Sequence, residues 1–353
     1  MSKQKQSTDS STKLVKAKQL LEEFRVDIES EIELNLTNCT GPLYDMIKYQ
    51  LGSIDSDQST RRRPHHYLGS LCLFSALSLG GSRQLTLPAA VAVELATEFN
   101  TIHHDIQQGE PKAGTRDTVW WLWGPAQAIN AGDGMHILSR LALNKLPIVR
   151  LGYPRKLAAL RTLDESILAH CEGQFLYLSY QERIDISVKQ YVSMAEKKEG
   201  SFLSAALKLG LITSNSSESI SDEFAQIGSR LGVVKQIISD LSILRTAFTQ
   251  SKNNLLTPEI ANKTKLLPVV YAIQNGTVGQ KRQLGSIYYK KFLEPEDINT
   301  VQQVLLDTKA IEYSCQLKEN LLESSLEELS KIEYNSDIAY MFPQILEIIL
   351  SEV

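Results

Sequence analysis

Leu122-Trp123-Gly124-Pro125-Ala126-Gln127-Ala128-Ile129-Asn130-Ala131-Gly132-Asp133 begins among indoles and passes at once to small residues. All three tryptophans of the chain fall in Trp120-Trp121-Leu122-Trp123, and the alanines and glycines after them permit close approach of another helix. Indoles bury large apolar areas, so the segment reads as a packing hub within a helix expected over Trp120–Leu143. A lipid or an aromatic ligand is the sharper reading of the same rings.

Helical periodicity continues on both sides. Leu14, Ala17, Leu20, Leu21 and Phe24 recur at i, i+3 and i+4, and Leu68–Leu79, Ala89–Ile106 and Leu157–Leu178 repeat the pattern. So do Val188–Leu209, Asp222–Leu244, Leu266–Ile273, Val301–Leu329 and Ile338–Ile349. Period-two alternation is nearly absent. Glycines and prolines punctuate the gaps, with Leu79–Ser82, Gly109–Gly114 and Ser214–Ser221 read as loops. The expectation is an all-α domain of ten or more helices over residues 14–353, behind a polar tail at 1–13 that reads as disordered.

Composition narrows the function classes. The chain has 353 residues, 42% hydrophobic and 22% charged, which excludes a largely disordered or collagen-like protein. Lys+Arg 37 against Asp+Glu 41 leaves a net charge of −4, which gives no reason to expect a nucleic-acid partner. Four scattered cysteines form no CxxC pair, so a disulfide framework or thiolate zinc site is not expected. No run reaches the ~18 apolar residues of a membrane span. With a polar N-terminus lacking a secretory core, a cytoplasmic location is the expectation.

Three further segments carry polar chemistry. In Glu94–Gly109 a mostly apolar helix ends in His103-His104-Asp105-Ile106-Gln107-Gln108, where His104 and Gln108 share a face. His103, His104 and Asp105 suit a metal; in the plainer reading the imidazoles meet the negative end of the helix dipole. In Gly232–Leu244 the residues Gly232, Gln236 and Asp240, spaced by four, form a polar stripe on an apolar helix. A carboxylate in such surroundings needs partners, and Asp240 is expected to face a cavity. The third is cationic: Arg61-Arg62-Arg63, Lys197-Lys198, and Lys263 with Lys265 lie at helix edges and suit a polyanion such as a diphosphate.

Taken in this order, the segments resemble the trans-isoprenyl diphosphate synthases, the polyprenyl synthetase family, from about residue 15 to the C-terminus. Leu122–Asp133 is the most specific stretch. Gly173-Gln174, Leu178-Ser179, Gly232 with Gln236, and Leu267-Pro268-Val269-Val270-Tyr271 support it. The resemblance implies an isoprenoid-synthase-type bundle around a deep apolar cavity, usually dimeric. It also implies two DDxxD motifs whose carboxylates hold magnesium against an allylic diphosphate, and basic residues for isopentenyl diphosphate.

Carried over position by position, the resemblance puts the first motif on His104, Asp105 and Gln108, and the second on Ser239, Asp240 and Ile243, preceded by Gln236. Only Asp105 and Asp240 remain as metal candidates. The paired arginines fall on Ala113 and Gly114, and a family histidine on Thr97. Arg61 and Arg63 keep part of the isopentenyl diphosphate segment, while Lys198 and Lys265 match lysines that contact the allylic diphosphate. Phe99 matches an aromatic floor that shortens the product cavity, and it also suits plain core packing.

Charge-assisted contacts to a diphosphate contribute roughly 1.5–3 kcal/mol each, so losing several removes decades of rate at about 1.36 kcal/mol per decade. A catalytically impaired partner or regulatory subunit of an active prenyl diphosphate synthase is the leading expectation, as a heteromer or a homodimer. The alternative is a repurposed terpene synthase or prenyltransferase acting on an allylic isoprenyl diphosphate. A prenyl-lipid sensor or carrier is the non-enzymatic option.

Overall fold

A computed structural model describes residues 2–54, 64–250 and 257–351. In chain order it contains α1 (Ser2–Leu36), α2 (Pro42–Gln50), α3 (Tyr67–Ser78), α4 (Arg83–Gln108), β1 (Lys112–Ala113) and β2 (Arg116–Asp117). There follow α5 (Val119–Trp123), α6 (Pro125–Asn144), α7 (Ile148–Leu151), α8 (Tyr153–Ser179), α9 (Val188–Ala195) and α10 (Ser201–Thr213). The chain continues with α11 (Glu218–Gln250), α12 (Pro258–Ala261), α13 (Leu267–Asn275) and α14 (Val278–Tyr288). It ends with α15 (Pro295–Asp307), α16 (Ala310–Ser330) and α17 (Phe342–Ser351). The architecture is all-α; β1 and β2 form a single antiparallel hairpin. Two compact units emerge, one built from residues 1–167, 204–226 and 332–352, the other from 168–203 and 227–331.

In the first unit α3 is buried nearly throughout, with Leu71, Leu73 and Phe74 fully enclosed. Phe74 meets Phe342 of α17 edge-on at 4.6 Å between centroids. Ser82 caps α4 through its hydroxyl, and Gly109 ends it at φ 71°. Helix α6 packs along α4, where a Cβ at Gly132 would lie 2.3 Å from His103 Nε2, so that position admits only glycine without a shift. Phe99 touches His136 while His103 touches Gly132, so the two helices run antiparallel.

Several expected boundaries move. The helix expected over Trp120–Leu143 breaks at Gly124, whose φ of 82° leaves the helical region, and Pro125 starts α6. Val301–Leu329 is likewise two helices, divided where Lys309 takes φ 54°. Helix α11 begins at Glu218, inside the expected Ser214–Ser221 loop, and Gly109–Gly114 contributes β1. Helix α1 begins at Ser2, so the backbone of 2–13 is helical; the stretch holds no glycine or proline to stop a helix anchored by Leu14–Phe24. Helices α2 and α14 were not expected, although Thr277 and Gln280 form a readable capping box on α14.

The second unit has two apolar clusters. One gathers Leu244, Leu266, Val269, Leu284, Ile298 and Leu305. The other gathers Tyr177, Tyr191, Met194, Val233, Ile237 and Val270. Between α9 and α10 the residues Glu196–Gly200 form a single π-helical turn. Glycines allow this turn to touch its neighbours backbone to backbone. A Cβ at Gly173 of α8 would fall 2.3 Å from the Lys198 nitrogen, and one at Gly232 of α11 would fall 2.2 Å from the Gly200 Cα.

Candidate functional site

The first unit carries His104, Asp105 and Gln108 on the last turn of α4. His104 and Asp105 are half-buried and Gln108 is 6% exposed. One turn earlier, Phe99 is buried with its ring 5.8 Å from His103 and 5.1 Å from His136. Burial first, and then the nearby Arg140 charge, depresses the His136 pKa below the ordinary imidazole value. His103 Nε2 lies 3.7 Å from Asp133 Oδ1. Phe99 therefore packs against two imidazoles.

Where the family resemblance places paired arginines, Ala113 lies in β1 and Gly114 takes φ 64° in the hairpin turn. A different arginine is anchored here. The Arg116 guanidinium stacks 3.4 Å from the Tyr49 ring centroid and donates to the Tyr49 carbonyl at 2.5 Å. Tyr49 returns a hydrogen bond from its hydroxyl to the Asp117 carbonyl at 2.8 Å. Trp120 Nε1 donates to the Glu110 carbonyl at 2.6 Å, and Trp123 meets Tyr49 edge-on. The tryptophan cluster is thus a clamp on the hairpin and not a buried hub, since Trp121 is 57% exposed and Trp123 40%.

In the second unit Lys198, Gln236 and Asp240 form one buried chain of hydrogen bonds. Lys198 sits in the π-helical turn, a distortion frequent at functional sites. Its ammonium donates to Glu199 Oε1 at 2.6 Å and to Gln236 Oε1 at 3.1 Å, and stands 4.9 Å over the Tyr177 ring. Gln236 Nε2 donates to Asp240 Oδ1 at 2.8 Å. Asp240 Oδ2 accepts from the Tyr191 hydroxyl at 2.6 Å and the Leu267 amide at 2.7 Å.

The electrostatics follow from this enclosure. Burial pushes Asp240 up to about 6, against the pull of its three donors and Lys198. Burial would raise Glu199 too, but Lys198 and Lys235 hold it well below the usual carboxylate range. His170 Nδ1 donates to the Lys198 carbonyl at 2.6 Å, and burial lowers this imidazole to about 4, so it is neutral at physiological pH. Asp240, expected to face a cavity, is instead 1% exposed and tied to three helices. Ser239 and Ile243 are half-buried on the same helix and take no part in that network.

Lys265 precedes Leu267 by two residues, yet its ammonium points elsewhere. It donates to the carbonyls of Gln181 and Lys263 at 2.9 and 2.8 Å and lies 4.6 Å over the Tyr288 ring. Burial and the neighbouring Lys263 charge lower its pKa to about 8. It lines a cavity of about 370 Å³ with Lys263, Lys291, Arg183 and Tyr288. Cations outnumber carboxylates around this cavity, which suits an oxyanion.

Arg61 and Arg63 lie outside the described residues. Among the described residues no cluster of three or more His, Cys, Asp or Glu side chains could hold a metal ion. At the positions to which the resemblance assigns the two motifs, the side chains present do not fit a magnesium cluster: Gln108, Ser239 and Ile243 bring no charge, and both oxygens of Asp240 already accept hydrogen bonds. Tyr191, His170, Glu199 and Arg116 escaped the sequence reading. Only Glu199, directly after Lys197-Lys198, carried a local signal.

The polyprenyl synthetase family model matches residues 59–305. The (2E,6E)-farnesyl diphosphate synthase of Mycobacterium bovis is 26% identical over 215 residues, and the match spans 60% of this chain but only 58% of that protein's length. The geranylgeranyl diphosphate synthase of Mycobacterium tuberculosis is 27% identical over 274 residues, 77% of this chain and 76% of that one. In fold, the crystal structure of a polyprenyl synthetase from Streptomyces coelicolor superposes with a TM-score of 0.80 at 23% identity, covering 94% of this chain and 99% of the other.

Proposed function

The chain belongs to the polyprenyl synthetase family, and from that membership we propose that it serves isoprenoid biosynthesis as a catalytically impaired partner subunit of an active prenyl diphosphate synthase. One observation carries the reading: Asp240, the sole carboxylate at its second-motif position, already satisfies Tyr191, Leu267 and Gln236. A cation recruited to it would have to compete with donors already on both oxygens of a buried group, each contributing roughly 1.5–3 kcal/mol when the acceptor is charged. The neighbouring Lys198 is neutralised by Glu199 within the same network.

A retained framework with an occupied polar centre supports binding without independent turnover. The oxyanion-friendly cavity at Lys265 favours an isoprenyl diphosphate as ligand. The partner would supply the magnesium-holding carboxylates, and this chain would bias its stability or product length.

Turnover of isopentenyl diphosphate with allylic diphosphates, in magnesium and in manganese, tests the proposal. The purified chain is expected to form no product alone, and to co-purify with a co-expressed homologue carrying full aspartate motifs and shift its product distribution. A stable homodimer that never joins such a homologue overturns the reading. Product formed by the chain alone replaces it with a repurposed prenyltransferase or terpene synthase.

A further inference from the structure

Between Gly134 and Leu163 the sequence holds Arg140, Lys145, Arg150, Arg155, Lys156 and Arg161 and not one Asp or Glu, in a chain whose net charge is −4. The run spans the end of α6, α7 and the start of α8, all within the first unit. Arg140 and Arg161 are paired with Asp164 and Glu165 just beyond it. The others lack such compensation. Lys156 and Arg155 donate to neutral backbone carbonyls, and Lys145 has Glu31 only at 4.0 Å. Arg150 is exposed and has no ion pair among the described residues.

Apolar side chains project from the same turn. Val149 is 98% exposed, Tyr153 74% and Leu157 67%. A tight turn at Gly152, with φ 76°, throws Val149 and Tyr153 outward. This corner stands at the far end of α6 from the Gly132–His103 contact, about 18 Å along the helix at 1.5 Å per residue.

We infer that this corner is a docking surface for an anionic lipid bilayer, with Val149 and Tyr153 entering the interface and Lys145, Arg150 and Lys156 facing the headgroups. Apolar tips flanked along the chain by cations are the composition that binds such a surface. A nucleic acid would use the cations and gain nothing from Val149 or Leu157. A second copy seated on this corner would bring like charges together, which disfavours it. No helix among the described residues is long and apolar enough to cross a membrane, so the contact is peripheral. The inference is independent of the partner-subunit reading.

Co-sedimentation of the full chain with vesicles tests it. Equimolar phosphatidylcholine and phosphatidylglycerol vesicles should pull the protein down, pure phosphatidylcholine should not, and added salt should release it. Arg150→Glu and Val149→Asp should each weaken partitioning roughly tenfold or more, with circular dichroism and melting temperature unchanged. Should either variant lose its fold, salt release of the unaltered chain is the second readout. Equal binding to both vesicle types, no binding to either, or wild-type partitioning by both folded variants overturns the inference.

Discussion

His170 Nδ1 donates to the carbonyl oxygen of Lys198 at 2.6 Å, so a buried neutral imidazole fixes the π-helical turn that carries the lysine. A π-turn displaces backbone carbonyls from their usual partners, and this hydrogen bond satisfies one of them. Its acid dependence is calculable. The folded imidazole titrates at about 4 against an ordinary 6.5, so acidification protonates the unfolded chain first. His170 therefore contributes stability above pH 6.5 that is lost as pH falls toward 4, roughly 3 kcal/mol at about 1.36 kcal/mol per pH unit. His170→Asn, which keeps a donor near the Nδ1 position, should flatten this acid loss in urea melts taken across that range. An unaltered slope refutes the assignment.

Asp240 acts with the opposite sign. Its folded pKa of about 6 exceeds the ordinary 3.8, so the folded state holds the proton more tightly. Its contribution is fully present below about pH 3.8 and is lost as pH rises through 6, again roughly 3 kcal/mol. The two groups offset each other between about pH 4 and 6. Asp240→Asn should unmask the His170 term, making the acid loss of stability steeper than in the wild type over that window. The same melts provide the check.

Tyr191→Phe removes one donor from a buried carboxylate. At pH 7.5, where Asp240 is ionised, the variant should lose about 1.5–3 kcal/mol of unfolding free energy. Below pH 5, where the carboxyl is protonated, the loss should shrink to under about 1.5 kcal/mol, that of an ordinary neutral hydrogen bond. A penalty that does not change with pH would mean that Tyr191 acts only by packing.

Gly232→Ala would place a Cβ 2.2 Å from the Gly200 Cα, where backbone faces backbone and no flexible side chain can yield. Overpacking of this kind costs about 1–3 kcal/mol or more. Gly109→Ala meets nothing within 4 Å and bears only the strain of its positive φ, about 1 kcal/mol. Thermal melts should rank Gly232→Ala well below Gly109→Ala. The reverse order would refute the contact.

The hairpin makes a fifth case. Arg116→Lys keeps the charge but forfeits the planar stack on Tyr49 and the fork that reaches its carbonyl. Near-ultraviolet circular dichroism, which reports Tyr49 and the adjacent Trp120 and Trp123, should change while far-ultraviolet helicity holds. Identical aromatic spectra would count against the clamp.

Much of the fold was readable because amphipathic spacing is a local property. Leu68–Leu79 emerges as α3, displaced by one residue at each end, and Ala89–Ile106 lies inside α4, which begins six residues earlier. What failed was punctuation carried by a single torsion. Lys309 enters the left-handed region only because the chain must turn there, and no residue type announces it. The tryptophans misled because indole size predicts burial on average, whereas Trp121 and Trp123 lie beside a hairpin at the surface. The stripe Gly232, Gln236, Asp240 was visible as a pattern, but its meaning depends on Tyr191 and Leu267, which arrive from other helices. Net charge hid the cationic stretch after Gly134, since acids elsewhere cancel it.

Introducing carboxylates by design is therefore not a matter of changing two letters. Ser239→Asp with Ile243→Asp would spell the motif that the resemblance assigns there, yet the residue between them would stay pulled inward by a phenol and a peptide amide. A designer who wants a cation held there would first have to silence Tyr191, and then find the Leu267 amide another acceptor.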